Sequence, residues 1–243
     1  MPALQSLTRS FALPAFFLAI GIAAAGYFIS HTHYNAKIAL NTAQAKGLAE
    51  RRVPADRANW TLSHTVTGKS RDEISALYAQ AEKDRDQIIA VLKEGGLEDA
   101  EITVGVIDYS MREYRDENQN LVDEKHTLFG SISVETKKVG AIQQLRSDVN
   151  QLLAKGINLS NPSPRYYFTK MNEIKPAMLK EATQNAKIAA SEFAENAGVK
   201  VGRLRSARQG AFEVRDVGSS SGDTRKIEKE VRVVITVDFY LTD

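Results

Sequence analysis

The side chains able to carry acid-base or metal chemistry are few in this chain. It has four histidines, His31, His33, His64 and His126, and no cysteine, which excludes disulfides, thiolate nucleophiles and Cys-ligated metals. His31 and His33 stand two apart and would share one face of an extended chain. Two imidazoles fall short of the three or four protein ligands a zinc site uses. His64 lies within Trp60-x-Leu62-x-His64-x-Val66, where alternation puts it on an apolar strand face, the setting of a packed or interfacial side chain. His126 sits in a charged stretch and is expected to be solvated.

The remaining constellations carry structure more readily than catalysis. A Ser-His-Asp hydrolase needs its nucleophile on a sharp turn, yet G-x-S-x-G does not occur. Neither phosphate-cradling Gly motif is present, and Gly68-Lys69-Ser70 reads as a strand-to-helix cap. Asp116, Glu117, Asp123 and Glu124 gather with Arg112, Arg115 and Lys125, without the Gly-turned oxygen spacing of a Ca²⁺ loop. They predict a solvated hairpin tip, or one whose charges set register with a neighbouring subunit. Arg51, Arg52, Arg203, Arg205 and Arg208 form a basic set without interleaved aromatics, unlike a nucleic-acid platform. No catalytic, cofactor-binding or metal residue is therefore predicted, and no enzyme activity.

The elements that would position these residues follow from periodicity. Residues 11–29 contain no charge and match a bilayer core in length, which predicts one N-terminal transmembrane helix, with residues 1–10 cytoplasmic. Gly21 and Ala25 would let two such anchors approach closely. The same stretch also reads as a cleaved signal peptide, because Ala23-Ala24-Ala25 offers an A-x-A-like site. Either way the body is expected outside the cytoplasm: as an anchor, a single pass in the inner membrane, a linker over residues 30–41 and one domain over residues 42–243.

Within that body, Val53 and Trp60 flank a Pro-containing connection that suggests a hairpin. Ser70-Arg71-Asp72-Glu73 is a capping box, and Ile74, Leu77, Tyr78, Ala81, Ile88 and Leu92 form a helical face ended by Gly95-Gly96. Ile102, Val104 and Val106 alternate before a phase shift that suggests a bulge near Gly105. Leu128, Ile132 and Val134 mark the return of a long hairpin. Ile142, Leu145, Val149, Leu152 and Leu153 give a second helix, and Tyr166-Tyr167-Phe168 a short strand. Pro176 suits the first turn of a third helix whose apolar face is Leu179, Ala182, Ala186, Ala189, Ala190 and Phe193. Two strands joined by Gly218-Ser219-Ser220-Ser221-Gly222 close the chain. The predicted order is ββαββαβαββ, an α+β fold with helices on one face of a mixed or antiparallel sheet.

Three segments resemble the SIMPL-domain family. They are AKGLAERRVPADRANWTLSHTVTGKS at residues 45–70, SISVETKKVGAIQQLRSDVNQLLAKGIN at residues 131–158 and KEATQNAKIAASEFAENAGVKVGRL at residues 180–204. NLSNPSPRYYF, at residues 158–168, departs from the family pattern. The resemblance implies an exported domain that assembles with itself and acts in envelope maintenance or stress tolerance, without accepted catalytic residues. A binding module for a small ligand or an envelope polymer is the alternative. Lys and Arg total 32 against 30 Asp and Glu, so no net field favours nucleic acid.

Overall fold

The computed structural model describes residues 3–38, 41–219, 222 and 224–242, and within the N-terminal helix the side chains of Pro14 and residues 16–32. That helix, α1, spans Ala3–Ile38. It corrects the expected transmembrane span: among the described residues, no helix is long and apolar enough to cross a membrane. Residues 11–13 and Ala15 of the expected span lie outside the described side chains. Helical backbone also separates residues two apart by about 200°, so the face expected to hold His31 and His33 together does not form. His31 stacks on Tyr27 instead, with ring centroids 5.9 Å apart, and the His33 side chain lies outside the described residues.

The rest is α+β with antiparallel sheets. In order it comprises β1 (Thr42–Pro54), β2 (Arg57–Gly68), α2 (Ile74–Glu94), β3 (Ile102–Val104), β4 (Asp108–Arg115) and β5 (Leu121–Thr136). There follow α3 (Ile142–Ala154), β6 (Leu159–Ser160), β7 (Arg165–Tyr167), α4 (Met171–Asn196), β8 (Lys200–Asp216) and β9 (Glu228–Thr242).

Two strands more than the sequence predicted arise from local breaks. Gly105 still donates to Ser131 O at 2.9 Å, but the chain then leaves the ladder until Asp108. Pro162 and Pro164, which lack an N–H, interrupt the other edge, so β6 and β7 pair with β2 separately at Ser63↔Ser160 and Asn59↔Arg165. The expected β1–β2 hairpin is absent as well, because β1 and β2 belong to different sheets. Ala55 and Asp56 carry their amides to Ile227 O and Tyr167 O.

The chain forms two compact units. One comprises residues 50–178 and 212–232. Its sheet runs β3-β5-β2-β6, with β4 beside β5 and β7 beside β2. The β2–β5 register, from Ala58↔Thr136 to Gly68↔His126, puts Trp60, Leu62, Ile132 and Val134 on the face covered by Ile88, Leu92, Ile142 and Leu145 of α2 and α3. Each such side chain contributes about 1.5–3 kcal/mol by leaving water. Trp60 Nε1 also donates to Asn161 Oδ1 and Pro162 O, both at 3.1 Å, so its buried N–H is satisfied. The cap before α2 is tighter than a standard capping box. Ser70 accepts from Asp72 N and Glu73 reaches Lys69 N, because residues 71–73 form a 3-10 turn.

The other unit comprises residues 1–49, 179–211 and 233–243. The sheet order is β1-β9-β8, and α4 lays its buried stripe Ala182, Ala186, Ala190 and Ala194 against it. Phe193, expected on that face, is 71% exposed. Pro176 falls inside α4 rather than in its first turn, since the helix already begins at Met171.

Candidate functional site

The β4–β5 hairpin gathers most of the residues that the charge pattern singled out. Its turn is built by Asp116, which accepts from Asn118 N, Asn120 N and Asn120 Nδ2 at 2.8–3.0 Å. The Asn120 side chain leads these bonds in holding the Asp116 carboxyl below its usual range. Gln119 takes the left-handed position of the turn at φ 65°. Asp116 is thus a turn holder. Arg115 pairs with Glu113 at 2.7 Å. Toward the turn end of the hairpin a cleft of about 420 Å³ is lined by Lys69, Tyr114, Asp123, Glu124 and Lys125 beside Gly68.

His126 is not solvated. It is fully buried, because it lies opposite Gly68 and in phase with Leu128 on the helix side of the sheet. Counting back by two from Leu128 in the sequence would have found it. The Tyr109 hydroxyl meets Nδ1 at 2.8 Å and the two rings stack 6.0 Å apart. Nε2 has no hydrogen-bond partner and stands 3.4 Å from Glu124 Oε1.

His64 is buried on the same side, where Nε2 donates to Ala81 O at 3.0 Å and Nδ1 has no hydrogen-bond partner. Burial pushes its pKa below the ordinary value, against the Ala81 carbonyl and Asp84. Asp84 itself is buried and accepts from Gln80 at 2.6 Å. Among the described residues no three His, Asp or Glu side chains converge as metal ligands would.

Two buried charges escaped sequence reasoning although their phase was readable. Asp84 shares the α2 face with Ala81 and Ile88, and Lys229 precedes Val231 and Val233 at a period of two. Lys229 pairs with buried Asp216, which also accepts from the amides of Arg225 and Lys226 at 2.9 Å.

The basic residues lie on an edge. β8 ends its sheet, and residues 203–211, including Arg203, Arg205 and Arg208, are exposed on both faces. Behind them Asp238 accepts from Ser206 at 2.5 Å and from Gln44 at 2.8 Å, and Arg205 lies 6.0 Å over the Tyr240 ring. Arg51 and Arg52 belong to the other compact unit. β4 is exposed at every residue and leaves its far edge open among the described residues.

The family model described as SIMPL, protein of unknown function (DUF541), matches residues 44–239. The chain belongs to the SIMPL family. The match spans both compact units, and the three segments that suggested the family fall within it. No curated protein matches this SIMPL chain.

Solved structures similar to it include a candidate aminohydrolase from methicillin-resistant Staphylococcus aureus, at 16% identity and a TM-score of 0.25. That alignment covers 58% of this chain and 39% of the other, so the SIMPL chain spans about two fifths of that protein. An uncharacterized conserved protein from Listeria innocua is 13% identical, with 76% and 91% of the two chains covered and a TM-score of 0.22. A hydrolase from Listeria innocua, also 13% identical, covers 79% and 91% at a TM-score of 0.18. Likeness at these levels carries no argument about activity.

Proposed function

We propose that this SIMPL protein is a self-assembling interaction module that acts through its surfaces rather than by catalysis. The observation that carries the reading is β8. A 17-residue edge strand with residues 203–211 uncovered on both faces is a template for another strand, and proteins that remain single blunt such edges. Read as a signal peptide, the uncharged N-terminal run of residues 11–29 supports a site of action outside the cytoplasm, and the SIMPL resemblance supports a role in envelope maintenance or stress tolerance. Sedimentation of the purified full chain over a range of concentrations tests assembly. A mass above one chain that falls on dilution is expected, and a single-chain mass at every concentration counts against it. A reporter fused after Asp243 tests location, with activity expected only from reporters that work outside the cytoplasm.

The cleft beside Gly68 favours a second reading, a binding module for a small polar ligand. Its lining places Lys69 and Lys125 near Asp123 and Glu124, so a zwitterionic or mixed donor-acceptor ligand suits it. Thermal stabilisation by an envelope extract, lost on Lys69→Ala together with Lys125→Ala, tests this reading.

A further inference from the structure

Where β2, β5 and β4 lie side by side, the face of their sheet turned away from α2 carries two rows of like side chains. His126 and Leu128 of β5 point toward α2, so Lys125 and Thr127 point the other way. The pairs Thr67↔Thr127 and Ser110↔Thr127 set three hydroxyls in line across the strands. One step nearer the hairpin turn, Lys125 stands opposite Arg112. Lys69 follows the last β2 pair, Gly68↔His126, and lines the same cleft as Lys125. A row of three bases thus adjoins the row of hydroxyls.

These bases are unmatched. None of Lys69, Lys125 and Arg112 makes an ion pair among the described residues, and like charges set across a ladder oppose its pairing. Neighbouring strands lie about 4.7–4.9 Å apart, so one polyatomic anion can reach more than one of these charges. A phosphate monoester brings about −1.5 to −2 charge near pH 7 and three acceptor oxygens. A lone carboxylate, with a single charge and two oxygens, neutralises less of the row.

The next row offers the opposite chemistry, with Asp123 across from Tyr114. Gly105 donates to Ser131 O, so between Asp123 and Ser131 the odd-numbered residues of β5 turn their main-chain groups toward β3 and β4, and the even-numbered ones toward β2. Because β2 ends at Gly68, opposite His126, no strand lies beside Glu124. The Glu124 N–H is taken by Asp123 Oδ1 at 3.0 Å. Its side chain turns to His126, 3.4 Å away on the α2 side, so Glu124 gives the cleft its carbonyl, next to the Asp123 carboxylate. Two such acceptors suit an ammonium group.

We infer that this cleft of about 420 Å³ binds a phosphate monoester that also carries an ammonium group. The phosphate meets the bases and hydroxyls, and the ammonium meets Asp123 and the Glu124 carbonyl. This rests on the binding-module reading of the cleft given above and names the chemistry of its ligand.

Calorimetric titration of the full chain with phosphoethanolamine tests it, with inorganic phosphate and ethanolamine as the two halves of that probe. Phosphoethanolamine should bind about tenfold or more tighter than either half. Lys69→Ala together with Lys125→Ala should remove the binding of phosphoethanolamine and of phosphate alike. Asp123→Asn keeps an oxygen for the Glu124 amide, so it should bring phosphoethanolamine down to the level of phosphate and leave phosphate itself unchanged.

Phosphoethanolamine that fails to bind, binds no tighter than inorganic phosphate, or still binds the double lysine variant overturns this ligand class. If the envelope extract nonetheless stabilises the chain through Lys69 and Lys125, the binding-module reading stands without it. If the extract has no effect either, both fall.

Discussion

His64 occupies the space that a side chain at position 130 would need. The two residues are paired across β2 and β5, and a Cβ at Gly130 would lie 2.2 Å from His64 Cε1. Glycine is required here by close approach, not by backbone angle. Gly130→Ala must push the imidazole off its Ala81 bond or spread the strands, and overpacking of this kind costs about 1–3 kcal/mol. Chemical denaturation should show that loss. His64→Ala combined with Gly130→Ala should lose less than the two single changes added together, because the residues share one volume.

The same imidazole makes stability depend on pH. Burial lowers its folded-state pKa, so the unfolded chain takes up a proton near pH 6.5 while the folded chain does not. Stability is therefore flat with respect to this group above about pH 6.5 and falls as pH drops toward the folded value, by at most about 1.4 kcal/mol per pH unit. Denaturation midpoints between pH 7.5 and 5 should show the decline, and His64→Gln should flatten it. An equal slope in the variant would assign the effect to other groups.

Much of the unit formed by residues 50–178 and 212–232 was legible because its strands keep one face dry. Trp60, Leu62, Ile132 and Val134 alternate in the sequence and are buried together in the structure. What was hidden depended on contacts remote in sequence. Nothing near Val53 and Trp60 reveals that β1 and β2 enter different sheets, because the amides of Ala55 and Asp56 are taken by Ile227 and Tyr167. The solvated reading of His126 came from the charges around it, whereas strand phase decides its burial. Phe193 shows the opposite error, since a helical face shared with Ala190 did not place it under the sheet.

Asp216 and Lys229 form a buried ion pair whose loss should be costly in either direction. Burial alone would raise the Asp216 carboxyl, but Lys229 and the amides of Lys226 and Arg225 outweigh it and hold the carboxyl below its ordinary range. Removing one member leaves the other charge buried, which costs about 3–5 kcal/mol. Asp216→Ala and Lys229→Met should each lower the unfolding midpoint sharply by calorimetry. The depressed carboxyl adds an acid limb, with stability present above about pH 3.8 and lost as pH falls toward the folded value. That limb should vanish in Asp216→Ala.

Gly47 sets how closely α4 can approach β1. A Cβ there would lie 1.8 Å from the Ala182 carbonyl oxygen and 2.6 Å from the Ala186 amide nitrogen, both backbone atoms that no rotamer change can move. The stripe Ala182, Ala186, Ala190 and Ala194 keeps the helix side equally small. Gly47→Ala must lift the helix, uncovering Val233, Ile235 and Val237 on β9, which are buried in the same unit. The loss should exceed the 1–3 kcal/mol of ordinary overpacking, because main chain rather than side chain has to shift. Hydrogen exchange locates the damage: amides of α4 and β9 within residues 179–196 and 233–242 should lose protection, while those of α2 and β5 keep theirs. Uniform loss across both units would show that they unfold together.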